Sequence, residues 1–298
     1  MPAGEKLAIM IDKSNHKVLI NDWEEVECIF CEGNFGQKVI WPDEEWGNIV
    51  QCRKCDLVFR SPRRTESYLD HHFTGEWTEA RPSFFLEDYR DKNLARVARW
   101  IREKHPNPGA ILDIGSSYGN LLAKFPHSWR RVGVEASAVA CQVARKRLPQ
   151  AEILNKTFFE APLKERSFDV ITMIDTLYYL PYPRRDFLRI RELLKPDGMV
   201  LIECQNFTNR GRVYRALGHR FDETWMYFFT PNTLTKLFSK AKMEVISRFD
   251  LPGHQVGAKN RGRQAITWLE FFLTTALAII SGGQWDFIPH FVLAARRT

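Results

Sequence analysis

The sequence lacks several features that would place the protein in a specialised class. It has no low-complexity tract and no internal repeat, which excludes repeat architectures and a largely disordered chain. Its first twenty residues contain no apolar segment of the signal-peptide type, so we expect neither secretion nor a disulfide framework. No apolar run reaches the ~20 residues that span a bilayer. We therefore expect a cytoplasmic protein.

What the sequence does contain is an ordinary balance of residues for a folded protein. Of its 298 residues, 44% are hydrophobic and 27% are charged, and the length suffices for one large domain and a small one. The formal net charge is +7. Residues 205–263 hold eleven Lys or Arg against four Asp or Glu, so this segment accounts for the whole net charge. The excess of positive charge favours an anionic partner.

Cysteines are few, six in total, yet four of them are grouped. Two Cys-x-x-Cys pairs, separated by twenty residues, hold Cys28, Cys31, Cys52 and Cys55. This spacing is typical of tetrahedral zinc sites, whereas a redox motif would need only one pair. Four thiolate ligands leave no open position for a substrate, so we predict a structural zinc ion in a ribbon module over residues 1–65. A redox pair and buried unpaired cysteines are the alternatives.

Strands and helices alternate after a linker and helical cap that we assign to residues 66–106. Apolar runs such as "AILDIG" and "SFDVITMID" indicate buried strands, and "AVACQVARKRL" and "RRDFLRIRELL" have helical spacing. A further helix is expected from "SYGNLLAKF", after the first strand. Such alternation predicts βαβ units and a parallel sheet. We therefore assign residues 107–298 to an α/β domain of the Rossmann-like, doubly wound type.

The stretch "DIGSSYG" predicts a ligand-binding turn between the first strand and the chain that follows it. It offers Asp113, Gly115, Ser117 and Gly119, and small residues there let the backbone turn sharply and approach a ligand. Glu135 follows twenty residues after Gly115, where an acidic residue can accept hydrogen bonds from ribose hydroxyls. The turn has a G-x-x-x-G spacing and is preceded by an acid, which favours a nucleoside cofactor that presents an ammonium group rather than a pyrophosphate.

Four segments resemble the motifs of class I S-adenosylmethionine-dependent methyltransferases, namely "LDIGSSYGNLL", "VGVEAS", "SFDVITMIDTLYYLPYP" and "LLKPDGMVLIE". The resemblance implies S-adenosylmethionine as cofactor and a seven-stranded methyltransferase sheet, with substrate-binding insertions after residue 204. "CIFC" and "VQCRKCDLVFRSPRR" resemble the zinc module that precedes this domain in bacterial deoxysugar C-methyltransferases. "WMYFFTPNTLTKLFSKAKMEV" is similar to a segment of bacterial methyltransferases that act on sugars and small molecules.

The resemblance also implies roles for individual residues around the cofactor. The methionine portion would be wrapped by the turn residues Asp113, Gly115, Ser117 and Gly119. The remaining positions fall along the following strands: Glu135 and Ala136 at the ribose, Thr157 and Phe158 on the adenine side, and Asp175 and Thr176 between the cofactor and the substrate mouth. Ser117 stands where the family usually has glycine, so we expect its backbone to keep a negative φ.

Three residues are candidates for a general base. Tyr179 stands where relatives often have histidine, but a pKa of roughly 10 makes tyrosine a poor base near neutral pH. An aromatic wall of the substrate pocket is the interpretation we favour for Tyr179. His71 and His72, in "YLDHHF", could serve if the linker folds over the cleft, and a surface or packing role is the alternative.

The leading hypothesis is a methyltransferase whose acceptor is a sugar on a nucleotide or lipid carrier, with Arg210, Arg212 and Arg215 contacting the carrier's phosphates. A second hypothesis is an RNA methyltransferase in which aromatic residues stack on flipped bases, although core packing explains those residues equally well. The aromatic residues concerned are Phe207, Trp225, Tyr227 and Phe228. No Asn-Pro-Pro-Tyr-type or paired-cysteine base-methylation signature is present. A third hypothesis is a non-catalytic binding protein with the methyltransferase fold.

The apolar segment 264–281, "QAITWLEFFLTTALAIIS", has two interpretations. It is too short to span a bilayer and contains Glu270, so we favour a helix packed on the sheet or in a dimer seam. The alternative is a helix that lies on an anionic membrane, since the basic stretch "KNRGR" precedes it.

Overall fold

The structure is a computed structural model. It describes residues 23–31, 36–69, 91–208, 224–252, 261–282 and 285–298, and for 261–267 it describes the backbone alone.

A seven-stranded mixed sheet forms the centre of the fold. Its strands follow the order β12-β13-β10-β9-β6-β7-β8. Their bounds are Ala110–Ile114 (β6), Arg130–Glu135 (β7), Glu152–Asn155 (β8), Phe168–Ile174 (β9), Leu194–Gln205 (β10), Met243–Leu251 (β12) and His290–Arg297 (β13). Strands β6 to β10 are parallel, while β13 runs antiparallel to both of its neighbours. The predicted α/β class and the seven-stranded methyltransferase sheet are thereby confirmed.

Five α-helices are described, with bounds Asp91–Lys104 (α1), Ala138–Arg147 (α2), Pro183–Leu193 (α3), Pro231–Lys240 (α4) and Arg261–Ile280 (α5). Local chemistry explains where two of them begin. Ser137 caps α2 by accepting the amide of Ala140, and Thr230 forms a reciprocal capping box with Thr233 at the start of α4. The helix expected from "SYGNLLAKF" is only a 3₁₀ turn over Leu122–Lys124, because Pro126 follows at once and ends it.

The N-terminal ribbon contains two small sheets. A pair of short strands joins Trp23–Glu24 (β1) to Arg63–Arg64 (β5). The second sheet has the order β11-β4-β3-β2, with bounds Gln37–Trp41 (β2), Ile49–Cys52 (β3), Val58–Arg60 (β4) and Tyr227–Phe228 (β11). The segment "VIW" lies at the end of β2, and "IVQC" forms β3. Strand β11 comes from far downstream, so the ribbon sheet and the large domain share a strand.

The strand order of the large sheet fixes where a ligand can bind. The chain proceeds from β6 outwards to β7 and β8 on one side and to β9 and β10 on the other. In open α/β sheets ligands bind outside the carboxyl ends of the strands at such a switch point. This edge holds the turn after β6, the ends of β7 and β9, the distal part of β10 and the first residue of the antiparallel β13.

Candidate active site

The turn after β6 has an unusual backbone. Gly115, Ser117 and Gly119 all have positive φ angles, of 71°, 48° and 73°. A Cβ on Gly115 would lie 2.5 Å from the Oγ1 atom of Thr176, so only glycine fits there. The expectation that Ser117 keeps a negative φ is wrong. The turn needs a left-handed residue at this position so that the Ser117 amide points at Glu135.

Glu135, at the end of β7, is held on both of its carboxylate oxygens. Oε2 accepts the amide of Ser117 at 2.9 Å, and Oε1 accepts the amide of Ser137 at 2.9 Å. Burial raises the pKa of Glu135, and these amide donors act in the opposite direction. The side chain is partly exposed, and each oxygen retains a lone pair. The carboxylate therefore shapes the turn and still offers acceptors to a pair of vicinal hydroxyls.

Beneath the turn, Asp113 is buried in β6. Its Oδ1 atom accepts the hydroxyl of Thr172 in the neighbouring strand β9 at 2.7 Å. This bond joins β6 to β9 directly below the glycines of the turn. Asp113 and Thr172 thus fix the turn to the part of the sheet that leads to Asp175.

On the predicted adenine side, the structure separates Thr157 from Phe158. Thr157 is half-buried and donates its hydroxyl to Glu160, whereas Phe158 is packed in the core beneath the guanidinium of Arg189. Asn155 ties this segment to the end of β7 by donating to the carbonyls of Glu135 and Ala136. The segment that holds Thr157 is therefore tied to Glu135 and Ala136, while Phe158 belongs to the core. The contact of Thr157 and Phe158 with adenine stays a prediction.

The end of β9 is part of a buried group of titratable side chains. Nδ1 of His290 lies 2.6 Å from Oε1 of Glu203 and 3.9 Å from Oδ1 of Asp175. The hydroxyl of Tyr178 donates to the same Asp175 oxygen at 2.7 Å, and the amide of Asp175 donates to Oε2 of Glu203 at 3.0 Å. Asp175 has a φ of 52°, a strained conformation for a residue that is not glycine. We call Asp175, Tyr178, Glu203 and His290 the acid–histidine cluster.

Burial sets the electrostatics of this cluster. The pKa of Glu203 is raised to about 7, mainly by burial and then by the charge of Asp175, while His290 opposes the shift. Burial also raises the pKa of Tyr178, so its hydroxyl stays protonated and donates to Asp175. The cluster can accept or hold a proton near neutral pH, which is the property that general acid–base chemistry needs.

Three members of the cluster, Tyr178, Glu203 and His290, are absent from the residues that the sequence predicts. Glu203 is a charged residue inside the apolar strand "MVLIECQ", and His290 opens the apolar strand "HFVLAARR". A polar residue in an otherwise apolar strand is the signal that could have indicated Glu203 and His290 individually. Their meeting depends on the pairing of β10 with β13, which joins residues far apart in sequence.

Of the three residues predicted as candidate general bases, Tyr179 is the one that lies within the described residues. Tyr179 is partly exposed and packs edge-on against Tyr178, with ring centroids 4.8 Å apart. This position is compatible with the aromatic wall favoured above. His71, His72, Arg210, Arg212 and Arg215 lie outside the described residues.

The four aromatic residues proposed to stack on RNA bases are all buried, which removes them as a base-binding surface: Phe207, Trp225, Tyr227 and Phe228.

The four grouped cysteines converge in the ribbon. Their sulfur atoms all lie within 4.8 Å of one another, with Cys28 and Cys55 at 3.3 Å and Cys31 and Cys52 at 3.8 Å. Tetrahedral Zn–S bonds of ~2.3 Å place sulfurs about 3.8 Å apart, so this arrangement fits a Cys₄ zinc site. No disulfide joins them. A redox pair is not needed to explain their position.

Two buried arginines attach the ribbon to the large domain. Arg60 donates to the carbonyl of Trp225, and Arg63 donates to the hydroxyl of Tyr227 and to the carbonyl of Pro181. The amide of Met226, beside this contact, donates to the carbonyl of Tyr178. The ribbon is thus connected through one short segment to the acid–histidine cluster.

A cavity of about 820 Å³ lies between the ribbon and α3. Its walls include Arg63, Phe159, Tyr182, Arg185 and Glu24. Phe159 adjoins the predicted adenine side, and Tyr182 follows the turn that carries Tyr178. The cavity therefore borders segments that adjoin predicted cofactor residues in sequence, and both charged and aromatic groups line it.

Comparison with known proteins agrees with this geometry. A family model described as a methyltransferase domain matches residues 85–248. A ubiquinone biosynthesis O-methyltransferase of Dinoroseobacter shibae is 27% identical over 184 residues, which cover 54% of this chain and 71% of the relative. A demethylmenaquinone methyltransferase of Thermotoga maritima is 29% identical over 143 residues, covering 45% of this chain and 58% of the relative.

Solved structures are similar in fold. One is a possible histamine N-methyltransferase of Thermotoga maritima, with a TM-score of 0.55, 19% identity and coverage of 77% of this chain and 100% of that one. Another is the magnesium protoporphyrin IX methyltransferase of Synechocystis, with a TM-score of 0.56, 13% identity and coverage of 78% and 100%. At these identities the likeness concerns the fold.

Proposed function

The chain belongs to the methyltransferase domain family, and on this premise we propose that it transfers a methyl group from S-adenosylmethionine to a small-molecule acceptor. The observation that carries the proposal is the turn after β6, whose Ser117 amide is bonded to the carboxylate of Glu135. That pairing presents an acceptor for ribose hydroxyls directly beside a glycine-rich backbone. The relatives that carry functional names are methyltransferases as well.

The residues around the turn define how the donor would be held. Glu135 would accept both ribose hydroxyls, and the backbone around Gly115 and Gly119 would pass close to the methionine portion. We keep Asp113 as the group that offsets the ammonium charge from beneath the turn. When bound, S-adenosylmethionine supplies an electrophilic methyl group on its sulfonium. The protein's task is then to align the acceptor with that methyl and to receive any proton that leaves.

The acid–histidine cluster is suited to receive a proton that leaves the acceptor. Asp175 is one residue from Thr176, which touches the turn at Gly115, and it is the less buried of the two carboxylates in the cluster. We assign Asp175 to contact the acceptor, with Tyr178 fixing its side chain and the Glu203–His290 pair packed behind it. An acceptor hydroxyl that loses its proton to such a group becomes a better nucleophile. This favours methylation at a hydroxyl oxygen.

For the acceptor itself we propose a sugar on a nucleotide or lipid carrier. The support is the resemblance of the Cys₄ ribbon to the module of deoxysugar methyltransferases, together with the arginines of the cavity beside α3. Arg184, Arg185 and Arg189 line this cavity, and guanidinium groups bind phosphate well. In the fold Arg185 also pairs with Glu66, and Arg189 donates to the carbonyls of Phe159 and Ala161. A phenolic or quinol acceptor is the second candidate, favoured by the names of the two curated relatives.

A methylation screen with radiolabelled S-adenosylmethionine distinguishes these acceptors. The panel contains sugar nucleotides, lipid extracts, simple phenols and quinols, and total RNA. We expect labelled product from a sugar nucleotide or a lipid-linked sugar, and much less of it at the same low cofactor concentration when Glu135→Ala replaces the wild type. Turnover on phenols alone would replace the sugar assignment. Turnover on RNA, or none on any class despite cofactor binding, would contradict the small-molecule proposal.

We further propose that Cys28, Cys31, Cys52 and Cys55 hold one structural zinc ion. The support is the mutual distance of their sulfurs and the lack of an open ligand position. The ion would tie the loop after β1 to the turn between β3 and β4. Its effect is on the folding of the ribbon rather than on the methyl transfer.

A further inference from the structure

Helix α5 carries a continuous apolar face that no described part of the chain covers. Leu269, Phe272, Leu273 and Leu277 recur at helical spacing, and Ile280 continues the row at the carboxyl end. Phe272 is 62% exposed and Ile280 is 80% exposed. Trp285, just beyond the helix, is also exposed. The predicted packing of this segment on the sheet is therefore wrong for this face.

The exposed face is almost free of charge. Between residues 268 and 280, where side chains are described, Glu270 is the only ionisable residue, and it is partly buried. Monomeric soluble proteins rarely expose a contiguous apolar surface of this kind unless it binds something. The face therefore requires an occupant.

Positive charge surrounds the amino-terminal end of the helix. The guanidinium of Arg96, on α1, lies 4.3 Å from the ring centroid of Trp268. Arg99 is close enough to lower the pKa of Arg96, after the larger effect of burial. The sequence adds Arg261 and Arg263 in the first turn of α5, with no Asp or Glu between residues 253 and 263. An anionic surface is the complementary partner.

We propose that α5 lies in the interfacial plane of an anionic membrane, with Leu269, Phe272, Leu273 and Leu277 among the lipid headgroups and acyl chains. An apolar helix face with cationic residues beside it is the pattern of interfacial helices. Trp268 directly precedes Leu269, where the apolar face begins, and Trp285 lies beyond the carboxyl end of the helix. Tryptophan is enriched at membrane–water interfaces. A second copy of the chain fits less well, because two copies that each carry a net charge of +7 repel one another.

The helix would lie on the membrane and not cross it. Within the described residues no helix has the length and apolarity that a membrane span requires. The helix is held to the rest of the fold at Trp268, through Arg96, so docking would bring α1 and the sheet to a fixed orientation over the lipid surface. This inference is independent of the proposed methyl transfer.

Flotation of the full-length protein with vesicles tests the proposal. Vesicles of phosphatidylcholine alone are compared with vesicles that also contain phosphatidylglycerol, each at low and high salt. We expect flotation with the anionic vesicles only, and a decrease as salt is raised. Leu273→Glu should weaken binding by about tenfold or more, because it replaces buried apolar area by a charge. Arg96→Glu combined with Arg99→Glu should remove the dependence on anionic lipid.

Ile246→Glu is the matched control, since Ile246 is an exposed apolar residue on β12, away from α5. It should float like the wild type, and thermal unfolding should show that all variants fold. Equal flotation of wild type and Leu273→Glu would overturn the proposal, as would no flotation with anionic vesicles. Sedimentation that shows a dimer dissociated by Leu273→Glu, without vesicle binding, would assign the face to a second copy. Calorimetry with S-adenosylmethionine tests the proposed function separately.

Discussion

The imidazole Nδ1 of His290 lies 2.6 Å from Oε1 of Glu203, and both side chains are buried. The pair joins the first residue of β13 to the distal part of β10, and it stands behind Asp175, the residue directly after β9. A buried pair of this type is costly to break, because removal of one partner leaves the other unsatisfied. The arrangement places a proton-holding pair behind the predicted substrate mouth.

The first prediction concerns the pH dependence of stability. The folded chain raises the pKa of Glu203 from 4.5 to about 7, so protonation of Glu203 stabilises the folded state. This contribution is complete below pH 4.5 and is lost as pH rises through about 7. Glu203→Gln mimics the protonated acid, so the free energy of unfolding of this variant should fall less over that range. Urea denaturation at several pH values measures the difference, and Glu165→Gln, an exposed site, is the control. Parallel curves for Glu203→Gln and wild type would contradict the assignment.

The second prediction compares two adjacent tyrosines. Tyr178→Phe removes the hydroxyl that fixes Asp175, whereas Tyr179→Phe leaves that hydrogen bond intact. Loss of a hydrogen bond to a charged group is worth about 1.5 kcal/mol or more, so kcat should fall about tenfold in Tyr178→Phe. We expect Tyr179→Phe to stay close to wild type in methyl transfer to the acceptor found by the screen. A larger effect in Tyr179→Phe would restore that residue as the candidate base.

The third prediction concerns the cofactor. Glu135→Ala removes a carboxylate that accepts two backbone amides and, in our proposal, two ribose hydroxyls. Binding of S-adenosylmethionine, measured by calorimetry, should weaken by about 2–3 kcal/mol. Glu165→Ala, which removes an exposed carboxylate of the same domain, should bind normally. Unchanged affinity in Glu135→Ala would count against the assignment of the ribose site.

The fourth prediction follows from the backbone of Ser117. Its φ of 48° is accessible to glycine without strain and is unfavourable for a β-branched residue. Ser117→Gly should bind S-adenosylmethionine as well as wild type does. Ser117→Val should bind it more weakly, since the turn must distort and the amide bond to Glu135 is lost. The two affinities, measured side by side, should therefore diverge; equal weakening would show that the hydroxyl matters and the backbone does not.

The fifth prediction concerns the ribbon. Elemental analysis should find one zinc per chain in the wild type and less in Cys52→Ser, with a lower unfolding temperature. Cys141→Ser is the matched control, because Cys141 is buried away from the ribbon and bonds to the carbonyl of Glu135. It should retain the zinc. Stoichiometric zinc in Cys52→Ser would show that the metal is held elsewhere.

Short-range patterns were enough to predict much of the molecule. The glycine turn, Glu135 and the alternating strands follow from local spacing, and the four cysteines meet as their spacing predicts. The acid–histidine cluster could not be predicted in this way, because the pairing of β10 with β13 aligns residues separated by the whole intervening insertion. The conformation of Ser117 was misjudged since a favourable amide bond to Glu135 outweighs the cost of a positive φ. The exposure of α5 depends on which other parts of the protein pack against it. The periodicity of its apolar residues identifies the helix face but not its packing partner.

The strand shared between the ribbon and the large domain has a consequence for synthesis on the ribosome. Val58 pairs with Phe228, so the edge of β4 is complete only after the five parallel strands β6 to β10 of the large domain have been translated. Until then the nascent ribbon presents an unpaired strand edge, the kind of surface that invites wrong pairing. A fragment that stops before residue 225 lacks this edge partner, as well as the carbonyl of Trp225 that the buried Arg60 requires. The sheet of the ribbon is consequently completed late in translation, by a strand that lies far downstream in the sequence.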